Sequence, residues 1–334
     1  MIADRALKTL IVGCGNIAGV FDYANDGLPL THAGAYSHHG KFEVTACVDP
    51  NKIKLEKFAD YWSIKNTFSQ INEVIESKLN FDVISICSPT SSHYEDIIGA
   101  LKLNPKLLFC EKPVSDSLHE VEEIKKLCEE SDILLAVNFT RRWDPKVIEL
   151  RKKIINGHLG EIRSVVGYYN KGILNNGSHM IDMLLNLFGP LEVIMSNYAV
   201  NDYFVDDPSV SALLNTSSGV PIHLVTGNAS DYALFEVDII GSKKNLTMRD
   251  GGLNWTSRSV VESKRFKGYK NLDTQKYDKG SYLEAMIGAA DNIYKSVTEG
   301  RPLLCTGVEA FKVQSICKDL AEMAMSNMNS RYIK

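Results

Sequence analysis

What this chain lacks narrows its reading first. It has no basic excess: 37 basic residues stand against 41 acidic ones, a net charge of −4. A nucleic-acid binder would carry a basic patch or a high isoelectric point, so that class is set aside. No apolar stretch approaches the roughly 18 residues that a bilayer-spanning helix needs, and no basic amphipathic segment suited to a membrane surface is present. Seven cysteines, at positions 14, 47, 87, 110, 128, 305 and 317, form no CxxC pair and are odd in number. Several sit inside apolar runs, which fits small buried hydrophobes in a reducing cytoplasm. The opening Met-Ile-Ala-Asp-Arg-Ala-Leu-Lys turns at once into a strand, and no signal peptide is expected there. His38-His39 has no third ligand at zinc spacing, so no metal is expected.

What is present is an ordinary folded composition, 44% apolar and 23% charged over 334 residues, long enough for two domains. Short, nearly continuous apolar runs at 9–13, 44–48, 83–87, 107–110 and 133–137 read as strands covered on both faces. Helical patterns lie between them at 52–61, 69–76, 93–103 and 117–128. Alternation of this kind predicts an α/β, doubly wound parallel sheet over residues 1–140. After Asp144-Pro145 the rhythm changes. A helix at 146–156 is followed by strands at 161–169, 192–198, 209–215, 222–226, 235–240 and 245–248, with turn dipeptides between them. Two long helices, 281–298 and 308–325, close the chain. Residues 141–334 are therefore expected to form an α+β domain with an open, mainly antiparallel sheet.

The first strand runs into Gly13-Cys14-Gly15-Asn16-Ile17-Ala18-Gly19. In such a turn Gly13 permits the tight bend, Gly15 lets backbone approach a pyrophosphate, and Ala18 packs close to the sheet. The N-terminus of a following helix then serves as an anion site. At the head of a βαβ pattern this is a dinucleotide-binding, Rossmann-type signature. Asp49, after the second strand, suits the ribose hydroxyls and repels a 2′-phosphate, which favours NAD, with NADP as the alternative; the bland reading of Asp49 is a helix cap. It stands later in the chain than usual because of an insertion, 21–31. Thr31-His32-Ala33 reads either as part of a pocket rim or as a helix start.

Two further stretches carry a family resemblance. Ser88-Pro89-Thr90-Ser91-Ser92-His93 follows the strand at 83–87, and Cys110-Glu111-Lys112-Pro113 follows the next one. With Asn138-Phe139-Thr140-Arg141-Arg142-Trp143, Gly177-Ser178-His179-Met180-Ile181-Asp182 and Ile239-Ile240-Gly241-Ser242-Lys243, the chain resembles the Gfo/Idh/MocA oxidoreductases, the glucose–fructose oxidoreductase and inositol dehydrogenase group. The resemblance implies an NAD(P)-dependent oxidoreductase that moves a hydride between nicotinamide and the hydroxyl-bearing or carbonyl carbon of a sugar derivative, nucleotide-linked sugars included. Lys112 would contact cofactor and substrate hydroxyl and stabilise the alkoxide. His179 would act as general acid/base with Asp182 one turn on. Gly13, Gly15, Asn16, Ile17, Asp49, Ser88, Pro89, Thr90, His93, Glu111, Lys112 and Asn138 would hold the cofactor.

Substrate would meet Lys112, Arg142, Tyr169, Lys171, Asn175, Asn176 and His179, since amides and hydroxyls suit a polyhydroxylated ligand. One departure stands out: the family places an aspartate four residues before the histidine, and this chain has Asn175. Three readings follow: Lys112 alone carries the proton, Asp182 substitutes, or the protein binds without turnover. A cofactor-bound sugar sensor and a reductase of a non-sugar carbonyl are the competing functions. An open sheet face would leave apolar surface in water, so a homodimer or homotetramer is expected.

Overall fold

The computed structural model describes residues 5–331. Residues 1–4, where no leader is expected, and 332–334, the end of the expected second domain, lie outside the described residues. The chain divides into two compact units, Met1–Trp143 with Leu283–Lys312, and Asp144–Tyr282 with Val313–Lys334.

The first unit alternates β1 (Leu7–Val12), α1 (His32–His39), β2 (Phe42–Val48), α2 (Lys52–Trp62), β3 (Asn66–Phe68), α3 (Ile71–Ser77), β4 (Val83–Ile86), α4 (Thr90–Leu101), β5 (Leu107–Cys110), α5 (Leu118–Glu130) and β6 (Leu134–Val137). The strands form one parallel sheet in the order β3-β2-β1-β4-β5-β6. This is the doubly wound order in which the direction of winding reverses between β1 and β4. Leu10, Ile11, Ile84, Ile86, Leu107 and Leu108 are fully buried, because helices cover both faces and leave no polar side to the central strands. Helix starts follow side-chain caps: Thr31 accepts from Gly34 N–H, Asn51 from Lys54 N–H and Ser117 from Glu120 N–H, each filling an otherwise orphaned donor.

One expectation is corrected here. No α-helix follows the glycine turn directly. Residues 16–19 form irregular turns, Val20–Asp22 one turn of 3-10 helix, and α1 begins at His32. The cause is the insertion. A straight helix would bring residue 21 to the Ile17 carbonyl and residue 22 to that of Ala18. Instead His32 N–H and Ala33 N–H donate to them. The helix thus resumes in register after eleven extra residues are looped out. Asp22 closes the loop, its carboxylate accepting from Leu30 N–H, Thr31 N–H, the Thr31 hydroxyl and Asn25 Nδ2.

The second unit holds α6 (Pro145–Ile155), β7 (Ile162–Tyr169), α7 (Ser178–Phe188), β8 (Leu191–Val200), β9 (Ser209–Thr216), β10 (Pro221–Thr226), β11 (Phe235–Gly241), β12 (Lys244–Arg249), β13 (Asn254–Glu262), β14 (Lys270–Leu272) and β15 (Lys276–Lys279). Its nine-stranded sheet runs β14-β13-β12-β11-β7-β10-β9-β8, with β15 also on β13. Every pairing is antiparallel except β7 with β10. Burial alternates along β10 and β11, the pattern of a sheet with one packed and one open face. The chain closes with α8 (Ala285–Glu299), whose packing places it in the first unit, and α9 (Gly307–Arg331). Among the described residues no helix is long and apolar enough to cross a membrane.

Candidate active site

Five neighbouring strands of the first unit deliver their sequence-predicted residues to one edge. Gly13 follows β1, Asp49 follows β2, Ser88 lies just past β4, Glu111 follows β5 and Asn138 follows β6. This is the carboxyl-end edge, where ligands of open α/β sheets bind.

Gly13 has φ +89°, and a Cβ built there would stand 2.4 Å from Ser88 N. Glycine is required because β1 and β4 are neighbours and their ends touch. Gly15 is the opposite case: nothing lies within 4 Å of a Cβ built on it. That open space is what a pyrophosphate needs beside bare backbone, and Ala18 is fully buried behind it. Asp49 accepts from Cys14 N–H at 2.9 Å and Asn51 N–H at 2.8 Å. Each carboxylate oxygen retains a further lone pair for a hydroxyl. These features fit a dinucleotide.

The Ser88 and Glu111 loops are strapped together. His93 is buried, and its ring spans the Ser88 and Pro113 carbonyls at 2.8 Å each. It is thus placed as a strut under both loops, with no nitrogen turned outward. The Ser88 hydroxyl donates to Asp96 at 2.6 Å, while Pro89 is exposed and Thr90 opens α4. The Lys112–Pro113 peptide is cis.

Glu111 is the most constrained group. Asn138 Nδ2 donates to its Oε1 at 2.6 Å, and His32 Nε2 lies 3.0 Å from the same oxygen. Burial alone would push this carboxyl up. The hydrogen bonds from His32 and Asn138 and the positive charge of Lys112 outweigh it and hold Glu111 below the usual carboxylate range. A half-buried Lys112 follows directly in the chain. His32, which the sequence left open between pocket rim and helix start, is the first residue of α1 and fully buried.

In the second unit His179 lies in the first turn of α7, half-buried, and Asp182 is buried one turn on. The preceding segment, Gly172–Gly177, is a wide π-type turn pinned by two aspartates that sequence reasoning passed over. Asp207 accepts from Leu174 N–H and Asn175 N–H at 2.8 Å each. Asp202 accepts from Lys171 N–H at 2.8 Å and from the Ser209 hydroxyl. Asp207-Pro208 was legible only as a turn. Lys171 sits with φ +70°, its ammonium 4.3 Å from the Tyr203 ring centre. The Asn175 and Asn176 side-chain amides donate to backbone carbonyls of Lys171 and Asn170, so both serve the turn itself.

One expected substrate contact is corrected. Tyr169 is fully buried, and its hydroxyl both donates to the Val210 carbonyl and accepts from Val210 N–H. It is a core residue joining β7 to β9. Arg142 is buried in the first unit, where its Nη1 donates to the Leu304 carbonyl at 3.2 Å. Among the described residues no group of three or more His, Cys, Asp or Glu is placed to hold a metal.

A parallel sheet with this switch point, this glycine turn and this edge is a dinucleotide-binding, Rossmann-type scaffold. Comparison with known proteins makes the class specific. Residues 7–139 match the NAD-binding Rossmann fold of the Gfo/Idh/MocA oxidoreductase family, and residues 167–331 match its C-terminal alpha/beta domain. The chain belongs to that family. Inositol 2-dehydrogenase of Rhizobium meliloti (strain 1021) is 25% identical over 298 residues, 83% of this chain and 87% of its own. The scyllo-inositol 2-dehydrogenase (NADP(+)) of Bacillus subtilis (strain 168) is 26% identical over a shorter stretch, 50% of this chain and 55% of its own. Among solved structures, the WlbA dehydrogenase of Bordetella pertussis in complex with NADH and UDP-GlcNAcA superposes with a TM-score of 0.76 at 18% identity, covering 96% of this chain and 97% of that one.

Proposed function

We propose that this protein is an NAD(P)-dependent dehydrogenase or reductase acting on a CH–OH group of a sugar, inositol or nucleotide-linked sugar, with NAD preferred. The observation that carries the reading is the Glu111–Lys112 pair at the end of β5. Its carboxylate is fixed by two donors, beside a glycine turn with room for a pyrophosphate. The names of the relatives, inositol dehydrogenases and a dehydrogenase complexed with a nucleotide sugar, support the substrate class.

Gly13, Gly15, Asn16 and Ile17 would receive the pyrophosphate, Asp49 the adenosine ribose, and Ser88 to Thr90 the nicotinamide half. The nicotinamide, when bound, supplies the hydride acceptor. Lys112 holds the substrate oxygen, and its positive charge stabilises the alkoxide that forms as the proton leaves. His179 takes or gives that proton. Asp182 lies one turn along the same helix. Residues 1–140 carry the cofactor role and 141–334 the substrate and oligomerisation role, with α8 counted by its packing in the first unit. The open face of the second sheet, where Met195, Val225 and Ile240 are exposed, supports a homodimer or homotetramer, which light scattering tests. Seven buried cysteines, none joined in a disulfide, support a cytoplasmic setting.

The test is reduced-nicotinamide absorbance with NAD and then NADP, against free sugars, inositols, uronic acids and nucleotide sugars. Lys112→Ala runs beside the wild type. We expect turnover with at least one polyol, lost by about 10² or more in the variant, with cofactor affinity kept within a few-fold. A wild type that binds NADH but turns over nothing supports the sensor reading instead.

A further inference from the structure

His32 is fully buried, and both of its ring nitrogens face polar partners. Nε2 stands 3.0 Å from Glu111 Oε1 and Nδ1 3.2 Å from Ser85 Oγ, which in turn lies 2.7 Å from the Tyr36 hydroxyl. The Phe109 ring packs 4.3 Å from the imidazole centre, so the ring has little room to turn. An ionised carboxylate only accepts hydrogen bonds; the nitrogen facing it therefore carries a hydrogen. Nδ1 then accepts from Ser85, and Ser85 accepts from Tyr36, whose hydroxyl burial keeps protonated. The hydrogens run one way, from Tyr36 to Glu111. His32 and Asn138 converge on the same oxygen, Oε1. The carboxylate is thereby held at that oxygen by two donors from different elements.

We propose that His32 is a positioning residue: it fixes the Glu111 carboxylate beside Lys112, and α1 resumes in register after the insertion so that this ring keeps its place. The inference rests on the proposed dehydrogenase reading and deepens it. A carboxylate that swung free or took up a proton would alter both the charge and the geometry around the Lys112 ammonium. Other ionisable groups facing Glu111 do not replace His32. The thiols of Cys87 and Cys110 are buried and stay protonated, and Lys112 is the group to be positioned. Asn138 supplies a second neutral donor to the same oxygen.

The variants are His32→Leu, which removes the donor, and His32→Gln, whose amide can reach Glu111 from the same backbone position. In His32→Leu we expect kcat to fall roughly 10- to 100-fold, the scale of a misplaced catalytic group, with KM for the polyol changed less than kcat. Burial is then less opposed at Glu111, so the acid limb of the pH–rate profile should move to higher pH. His32→Gln should recover most of the rate and bring the limb back. A folded His32→Leu protein with an unmoved limb overturns the proposal, as does a His32→Gln protein no better than His32→Leu. A structural role alone would lower the melting temperature of the variants without moving the limb. A second readout needs no turnover. Imidazole nitrogen NMR of the full chain, with His32 identified by its absence from the His32→Gln spectrum, should show the proton on Nε2. A proton on Nδ1 alone overturns the contact. Should the wild type turn over no polyol at all, the dehydrogenase reading fails, and the nitrogen spectrum still decides whether His32 donates to Glu111.

Discussion

Gly13 and Gly15 stand two positions apart and should answer an added methyl group differently. At Gly13 the backbone is left-handed and the methyl meets Ser88 backbone at 2.4 Å. Gly13→Ala is expected to destabilise the fold by about 2 kcal/mol or more and to lose cofactor binding with it. At Gly15 the methyl enters open space. Gly15→Ala is therefore expected to melt within a few degrees of wild type while weakening NADH binding at least tenfold, because the methyl occupies the room the pyrophosphate needs. Thermal melts and NADH fluorescence titrations of both variants check this. Equal NADH affinity in Gly15→Ala and wild type would remove the turn from the binding site.

At the scale of elements, the sheet is clamped at its other edge by one carboxylate. Asp82, just before β4, takes a two-pronged contact from Arg5, a bond from Lys8 N–H in β1 and one from Lys106 Nζ ahead of β5. Burial alone would raise its pKa, but these donors outweigh it and leave it lowered. A depressed folded pKa stabilises above the unfolded value, about 3.9, and that contribution fades as pH falls through the folded value. Asp82→Asn should therefore cost about 1–3 kcal/mol at pH 7, and the gap to wild type should shrink in urea melts near pH 3. A constant gap would refute the charge argument. The insertion yields a second expectation: since α1 resumes in register, deleting residues 21–31 should leave a folded protein, with His32 still against Glu111. Loss of the cooperative melt would show that the loop is part of the core.

The elements legible in the sequence are those whose residues face one environment throughout. The central strands are apolar on both faces, and α5 repeats Val121, Ile124 and Cys128 on its buried side. What escaped is polar or split. Strand β15 reads Lys-Tyr-Asp-Lys and is exposed at every position, while β3 has only three residues, none of them buried. The site divides the same way. Gly13, Asp49, Glu111 and Lys112 announce themselves by position after a strand. The contacts that hold them pair residues far apart in sequence: His32 and Glu111 are separated by 79 positions, and Asp207 reaches back 32 to Asn175. No local pattern encodes such a pairing. Tyr169 misled for the complementary reason, since a hydroxyl looks the same in sequence whether turned to a ligand or satisfied by backbone.

At the scale of the whole chain, the first unit is assembled from two separated stretches, and the later one is structural. Helix α8 buries Ala285, Met286, Ala289, Ala290 and Ile293. Asn292 Oδ1 accepts from Trp143 Nε1 and from Leu304 N–H at 3.0 Å each, Arg142 donates to the Leu304 carbonyl, and Ala136 of β6 bridges to Thr306. Met286 Sδ reaches within 3.6 Å of the Asn138 amide that holds Glu111. Without residues 283–312, Trp143, now 1% exposed, and one flank of α1 would face water. Each large apolar side chain uncovered costs about 1.5–3 kcal/mol, against a total stability of about 5–15 kcal/mol. Residues 1–143 alone should therefore melt without a cooperative transition and bind NADH poorly, although they contain every cofactor-binding position read from the sequence. The same residues joined to 283–312 through a flexible Gly/Ser linker should regain both properties. A cooperative melt and full NADH affinity in the fragment 1–143 would show instead that the parallel sheet is self-sufficient and that α8 merely rests on it.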